Sequence, residues 1–462
     1  MLFSSITFLF VFLPIVLAVY FLVPYRFKNL VMLIASLFFY AWGDPTYLVL
    51  MLFSSFFNYY MGKELGKITD EDPSRKRNLI FAVVINLLIL GFFKYWGFFL
   101  DTISGITGLK LTYPQLALPI GLSFYTFKNL SYILDIYMGK TEPCKGFFPY
   151  AVYSTMFPHM TAGPIVRYTD ISESISRRSI NTTRLGAGAE LFIKGLSKKV
   201  LLADNLSALY TTLQASGTTS FVGTWLAIGA YTLELYFDFS GYSDMAIGLG
   251  QMLGFNFNKN FDYPYISTSV SEFWRRWHIS LGSWFRDYIY IPLGGNRVST
   301  GRHIRNILVV WALTGLWHGA SWNFVFWGIY YGLLLLAEKF LLGRFLEKAP
   351  VWLRNLYTMF AVIIGWGFFS QTTPAAIGKM LGAMFGLGAS CFADRASLYA
   401  LKSGLILMII SVISCRPGLY QYFKRLARRN TYLAAVINAI LFFLCIAYMI
   451  YSSYTPFMYQ QF

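Results

Sequence analysis

His318 is the only imidazole in a stretch of 32 residues, Asn306 to Ala337, that carries no acidic or basic side chain. An imidazole is the side chain best matched to moving a proton near neutral pH. In so apolar a run an ionisable group is costly to place and is a functional candidate by default. The competing reading is a histidine hydrogen-bonded to a neighbouring helix, and the segment LTGLWHGASWNFVFW by itself leaves both open. Trp322 and Asn323 lie about one turn further on, where they would orient the ring or donate to a developing oxyanion. A second cluster, SEFWRRWHISLGSWFRDYIYIPLGGNR, gathers His278 with Glu272, Arg275, Arg276, Arg286, Asp287 and three tryptophans. On one continuous helix Trp274 and Arg275 would each share a face with His278. Arginine pairs bind phosphate bidentately and tryptophan covers a purine ring, so Arg275, Arg276, Trp274 and Trp277 are candidates for holding an anionic donor. An interfacial belt helix held by lipid headgroups is the alternative.

The elements that carry these residues follow from length. A membrane helix needs about 20 apolar residues at ~1.5 Å each, so 32 is long for one span and short for two. A break is expected, and Gly315 and Gly319 bracket His318. At membrane depth, backbone leaves helical geometry only where it is buried in protein or lines a wet cavity, which puts this imidazole beside a cavity. Apolar residues make up 56% of the 462, charged residues 13% and aromatics 19%. The mean hydropathy is +0.52, the signature of a polytopic membrane protein. The net charge of +17 sits in short clusters between apolar runs, which membrane topology explains better than nucleic acid. Four widely spaced cysteines indicate neither a zinc site nor a disulfide framework.

Apolar runs at about Ile6 to Val23, Leu30 to Trp42, Tyr47 to Met61, Leu79 to Leu100 and Leu116 to Tyr137 predict five helices. The first has no basic leader and no small-residue cleavage site, so it reads as a membrane helix and not a signal peptide. If these five alternate strictly, the loops after the first, third and fifth carry the basic residues from Arg26 to Lys145 while the opposite loops offer little beyond Lys110, which puts the basic side in the cytoplasm and the N-terminus outside. From Phe147 to Gly254 the pattern is irregular and suits re-entrant or interfacial elements. There Asp238 and Asp244 need partners, expected among the arginines that follow. Runs near Trp352 to Phe369, Leu401 to Cys415 and Tyr432 to Tyr451 complete an all-α bundle of about ten to twelve transmembrane helices. No Walker loop, HExxH, GxSxG or long-period repeat is present.

Five segments resemble the membrane-bound O-acyltransferase family, and within it the integral-membrane subunits of bacterial alginate O-acetylation. They are LPIGLSFYTFKNLSYILDIY, FPHMTAGPIVRY, YFDFSGYSDMAIGLGQMLGF, SEFWRRWHISLGSWFRDYIYIPLGGNR and GLWHGASWNFVFWG. The resemblance implies one membrane domain over residues 1–462. Its parts are N-terminal helices at 1–140, a signature core with both histidines at 141–345, and C-terminal helices with the tail at 346–462. It implies a central tunnel, re-entrant or interfacial helices, a catalytic role for His318 and a second signature histidine at His278. Ser370 stands where close relatives usually carry arginine. The last six residues, FMYQQF, resemble a terminal motif of this subfamily, which implies Tyr459 as an acyl carrier; the residues alone read as an interfacial aromatic anchor.

These features predict an O-acyltransferase of the bacterial inner (plasma) membrane that moves an acetyl group from a cytoplasmic thioester to a polysaccharide hydroxyl. The donor is acetyl-CoA or an acyl carrier protein, and no tightly bound cofactor or metal is expected. The other expected partners are the lipid bilayer and an extracytoplasmic acetyltransferase, since the chain shows no sizeable domain of its own for sugars. A hydroxyl is a poor nucleophile towards a thioester until a base removes its proton, and burial keeps His318 in the neutral, basic form. A transporter or a non-catalytic export scaffold are the rival classes; the first would be expected to show an inverted repeat and the second needs no imidazole at depth.

Overall fold

The structure is a computed structural model, and the residues it describes are 1–114, 116–217 and 219–451. Among them helix is the only regular secondary structure, as the apolar periodicity requires. Helices α1 (Phe8–Leu22), α2 (Lys28–Gly43), α3 (Leu48–Leu65), α4 (Pro73–Thr107) and α5 (Leu122–Tyr137) fall on the five apolar runs of the first half. Local chemistry sets their ends. Pro24 separates α1 from α2, and Asp72 caps α4 by accepting from Ser74 N at 2.8 Å with Pro73 at the first helical position. The chain leaves α4 through Gly108 at φ 72°, a left-handed turn that favours glycine.

Residues 147–254 are more regular than the sequence suggests. They form α6 (Phe147–Thr155), α7 (Tyr168–Ser176), α8 (Thr182–Ser197), α9 (Asp204–Ala215) and α10 (Phe221–Met252), the last an unbroken 32 residues through YTLELYFDFSGYSDMAIGLG. Polar side chains obscured the helical period because they are matched inside the fold. Asp238, whose partner was expected among the arginines that follow, pairs with Lys199 at 2.7 Å, and Lys199 also reaches Asp204 at 2.8 Å. A π turn, Lys198–Ala203, joins α8 to α9 and shifts the register that aims Lys199.

Downstream are α11 (Val270–Arg276), α12 (Ile279–Phe285), α13 (Thr300–His318), α14 (Trp322–Ala337), α15 (Gly343–Lys348), α16 (Val351–Ser370), α17 (Pro374–Met384), α18 (Arg395–Ser414), α19 (Pro417–Arg429) and α20 (Thr431–Tyr451). Five described helices are long and apolar enough to cross a membrane: Pro73–Thr107, Trp322–Lys348, Val351–Ser370, Arg395–Ser414 and Thr431–Tyr451. The all-α, multi-pass architecture expected from composition therefore holds.

The chain forms two compact units, Met1–Phe192 with Ser243–Asn258, and Ile193–Tyr242 with Lys259–Phe462. In the first, buried amides and the buried ammonium of Lys128 join helices. Asn58 and Asn86 exchange hydrogen bonds at 3.0 and 2.8 Å. Lys128 Nζ donates to the carbonyls of Tyr153 and Ser154 at the end of α6 (2.8 and 2.9 Å) and meets His159 Nδ1 at 3.1 Å, the favoured place for a cation at a helix C-terminus. In the second unit α13 and α14 pack backbone to backbone. A Cβ at Gly315 would stand 2.4 Å from the Phe324 carbonyl oxygen, and one at Gly328 2.5 Å from that of Trp311. Small residues permit this closeness, which apolar burial alone does not drive in lipid. Gly315→Val is therefore expected to destabilise the protein by about 1–3 kcal/mol, the usual cost of overpacking. Thermal unfolding in detergent measures it; an unchanged midpoint would refute the close-packing account.

Candidate active site

The 32-residue apolar stretch resolves into the end of α13 and all of α14, joined by a turn at Gly319, Ala320 and Ser321. The expected break lies there, and His318 is the last residue of α13. Its side chain is buried, with its ring edge-on to Trp327 (4.8 Å between centroids), Trp317 (5.1 Å) and Phe369 (5.3 Å).

His278 is delivered differently. The single helix expected through WRRWH does not form: α11 stops at Arg276, Trp277 is extended, and His278 adopts φ 45°, ψ 55° before α12 begins. The shared-face relation of Trp274 and Arg275 with His278 is thereby lost. A left-handed conformation is uncommon for a residue with a Cβ, and it marks the position as one the surroundings hold. They do so through Asn260, whose Oδ1 accepts from Ser280 N (3.1 Å) and Ser280 Oγ (2.9 Å) and lies 3.2 Å from His278 Nδ1. Because that oxygen accepts, Nδ1 carries the proton and Nε2 the lone pair, the tautomer of a proton acceptor. Burial pushes the His278 imidazole down to about 3, so the ring is neutral at physiological pH. The indole of Trp317 touches both imidazoles, 5.8 Å from His278 and 5.1 Å from His318.

Around these rings lies a set of buried polar atoms with no hydrogen-bond partner among the described residues: Asn323 Oδ1, Tyr331 Oη and the indole nitrogens of Trp274, Trp277 and Trp327. Native interiors satisfy nearly all such groups, so their concentration in one unit beside two imidazoles fits a place that receives a polar substrate. Trp322, by contrast, is 44% exposed and tilts against Phe326. The four candidate donor-binding residues do not sit together as a clamp. Arg275 is exposed, whereas Arg276 is committed to Glu272 (2.8 Å) and Asp262 (3.6 Å). Trp277 is fully buried and stacks on Phe273 and Tyr265, and Trp274 meets Trp311, Tyr331 and Trp327 edge-on at 4.8, 4.8 and 5.3 Å. Tyr459 lies outside the described residues. Among the described residues no cluster of histidine, cysteine or carboxylate has the makings of a metal site.

Two residues that place the imidazoles went unread in the sequence. Asn260 sits in NKNFDYPY without any periodic signal. Glu338 was visible only as the first acid after a long apolar run, yet its carboxylate accepts from Val270 N (2.5 Å), Ser271 N (2.9 Å) and Ser271 Oγ (2.7 Å). It thereby caps the N-terminus of α11, where the helix dipole favours negative charge.

Comparison with known proteins adds a family match and close relatives. The model of MBOAT, the membrane-bound O-acyltransferase family, matches residues 144–373. A probable alginate O-acetylase AlgI of Azotobacter vinelandii is 41% identical over 92% of this chain and 86% of its own length. One of Pseudomonas aeruginosa is also 41% identical, over 92% of this chain and 83% of its own. A peptidoglycan O-acetyltransferase of Helicobacter pylori is 33% identical over 84% of this chain and 80% of its own.

Replacing Glu338 tests whether the cap sets the α11 end of the site. Glu338→Ala strips the acceptor from two helix-terminal N–H groups and is expected to cost about 1–3 kcal/mol, with Glu338→Gln, which keeps one acceptor oxygen, losing less. Thermal midpoints of the purified variants give the comparison; equal losses in the two would contradict the capping role.

Proposed function

The chain belongs to the membrane-bound O-acyltransferase family and is a multi-pass membrane acyltransferase. We propose that it takes an acetyl group from a cytoplasmic thioester, acetyl-CoA or an acyl carrier protein, and passes it across the bacterial inner membrane. There the acetyl group serves O-acetylation of an exopolysaccharide or cell-wall polymer of the alginate type. The carrying observation is the pair of buried imidazoles, each placed at a break in the helical chain and both packed against the Trp317 ring.

In this reading the acceptor hydroxyl gives its proton to His318 as its oxygen attacks the thioester carbonyl. The new C–O bond forms, the C–S bond breaks, and the departing thiolate takes the proton back from the imidazolium. A base so placed contributes typically ~10² to 10⁴-fold. The transient oxyanion needs donors in a water-poor site, for which the buried Trp327 indole N–H is available. Family membership removes the transporter and scaffold alternatives. An extracytoplasmic acetyltransferase completes delivery to the polymer, and Tyr459 is the proposed carrier: an aryl ester has a better leaving group than an alkyl ester and is readily formed and discharged.

His318→Ala is expected to lower thiol release from acetyl-CoA or acetyl-carrier protein, and polymer acetylation with it, by about 10² to 10⁴-fold while the thermal midpoint stays close to wild type. Near-normal turnover would end the catalytic assignment. His278→Ala should act more mildly; a loss equal to or larger than that at His318 would exchange the two roles, and the Nε2 lone pair that Asn260 leaves on His278 makes that measurement decisive. Tyr459→Phe, which removes only the hydroxyl, should abolish polymer acetylation, and wild-type activity in that variant would leave the tail an anchor.

A further inference from the structure

Where α1 ends, the chain passes Val23 and Pro24, makes one tight turn at Tyr25–Phe27 and enters α2. Two cations converge there on Tyr20. Arg178, in the segment after α7, donates from Nε to Tyr20 Oη at 2.8 Å and from Nη1 to Asn29 Oδ1 at 2.7 Å and the Ser174 carbonyl at 3.2 Å. Its guanidinium carbon lies 4.5 Å from the Phe255 ring centre and 5.6 Å from that of Tyr20. Lys28 places its ammonium 4.6 Å from the same Tyr20 ring and donates to the Tyr20 carbonyl. Lys28 is only 9% exposed and Arg178 only 8%.

Every one of these partners is neutral. Among the described residues no carboxylate pairs with either cation, and the buried Nη2 of Arg178 has no hydrogen-bond partner. The other buried cations are treated differently by the fold. Lys199 is matched by two aspartates, and Lys128 spends its three donors on two helix-terminal carbonyls and a histidine. Two buried positive charges without a counter-charge are costly to desolvate, which favours an anion at this spot. The position also fits a membrane surface. The turn follows an apolar helix, Tyr25 and Phe27 are exposed, Arg26 lies 4.8 Å over the Phe27 ring, and Arg177 is exposed beside Arg178. A planar guanidinium with one donor left over, beside an ammonium, suits the oxygens of a phosphoryl group.

We propose that Lys28 and Arg178 form a binding site for a phosphoryl group, carried by an anionic membrane lipid or present as free phosphate. The site uses none of the residues assigned to acyl transfer and its test reads binding, so it stands or falls independently of that reading.

The experiment uses the full chain purified in non-ionic detergent, titrated with phosphatidylglycerol in one arm and inorganic phosphate in the other. Thermal midpoint and native mass spectrometry are the readouts. Wild type is expected to retain phosphatidylglycerol and to gain a saturable rise in midpoint; the same saturable rise with phosphate alone assigns the site to the free anion. Lys28→Gln and Arg178→Lys are chosen because each keeps hydrogen-bonding capacity towards Tyr20, and each should weaken the apparent affinity at least about tenfold, the loss of one charge-assisted contact. Absence of saturable binding in wild type, in both arms, overturns the proposal whether or not the variants fold. Equal affinity in wild type and both variants overturns it as well.

Discussion

The Glu338 carboxylate at the N-terminus of α11 is the contact on which the arrangement of the two imidazoles depends. Helix α14 starts four residues after His318 and hands over to Glu338 at its far end. Through Glu338 that end is tied to Val270 and Ser271, and α11 then runs only seven residues before the chain breaks into Trp277 and His278. One rigid helix thus acts as a spacer between two segments far apart in sequence. An anion is suited to the task because the first N–H groups of a helix have no intrahelical partner and carry partial positive charge. Glycines at 315 and 328 serve the same end by letting α13 and α14 touch along their backbones, so that α14 inherits the position of His318 with little play.

The interior solves the problem of buried charge in more than one way. Lys199 is held between Asp204 and Asp238, an arrangement in which each ion offsets the desolvation of the other. Lys128 is held by the negative end of α6, where backbone dipoles do the work of a carboxylate. Lys28 and Arg178 are held by neutral oxygens and aromatic faces, which satisfy geometry without supplying a countercharge. His278 avoids the difficulty by being neutral.

Aromatic side chains do double duty in the second unit. Trp274, Trp277, Trp327, Trp366 and Phe369 interlock at centroid separations of about 5 to 6 Å, a range in which edge-to-face packing adds to area burial. Their indole nitrogens bring hydrogen-bond donors into a region that stays otherwise apolar. Bulk, rigidity and a few donors are what an acyl-transfer site needs to exclude water while stabilising developing charge.

Composition and apolar run length alone determined that this is an all-α, multi-pass membrane protein, because every backbone group in lipid must be bonded within its own helix. The same reasoning placed the first five helices and the break beside His318, since 32 apolar residues exceed one span and glycine flanks the histidine. What sequence periodicity could not reach was any relation between distant residues. It extended one helix through His278, where tertiary contacts with Asn260 hold a left-handed turn. It looked for the partner of Asp238 among nearby arginines, whereas the fold supplies Lys199 from another helix. It grouped Arg275, Arg276, Trp274 and Trp277 by adjacency, and the chain then dispersed them between solvent, ion pair and core. Glu338 and Asn260 were silent for the same reason: a cap or a tautomer lock acts across space, and spacing along one segment carries no record of it.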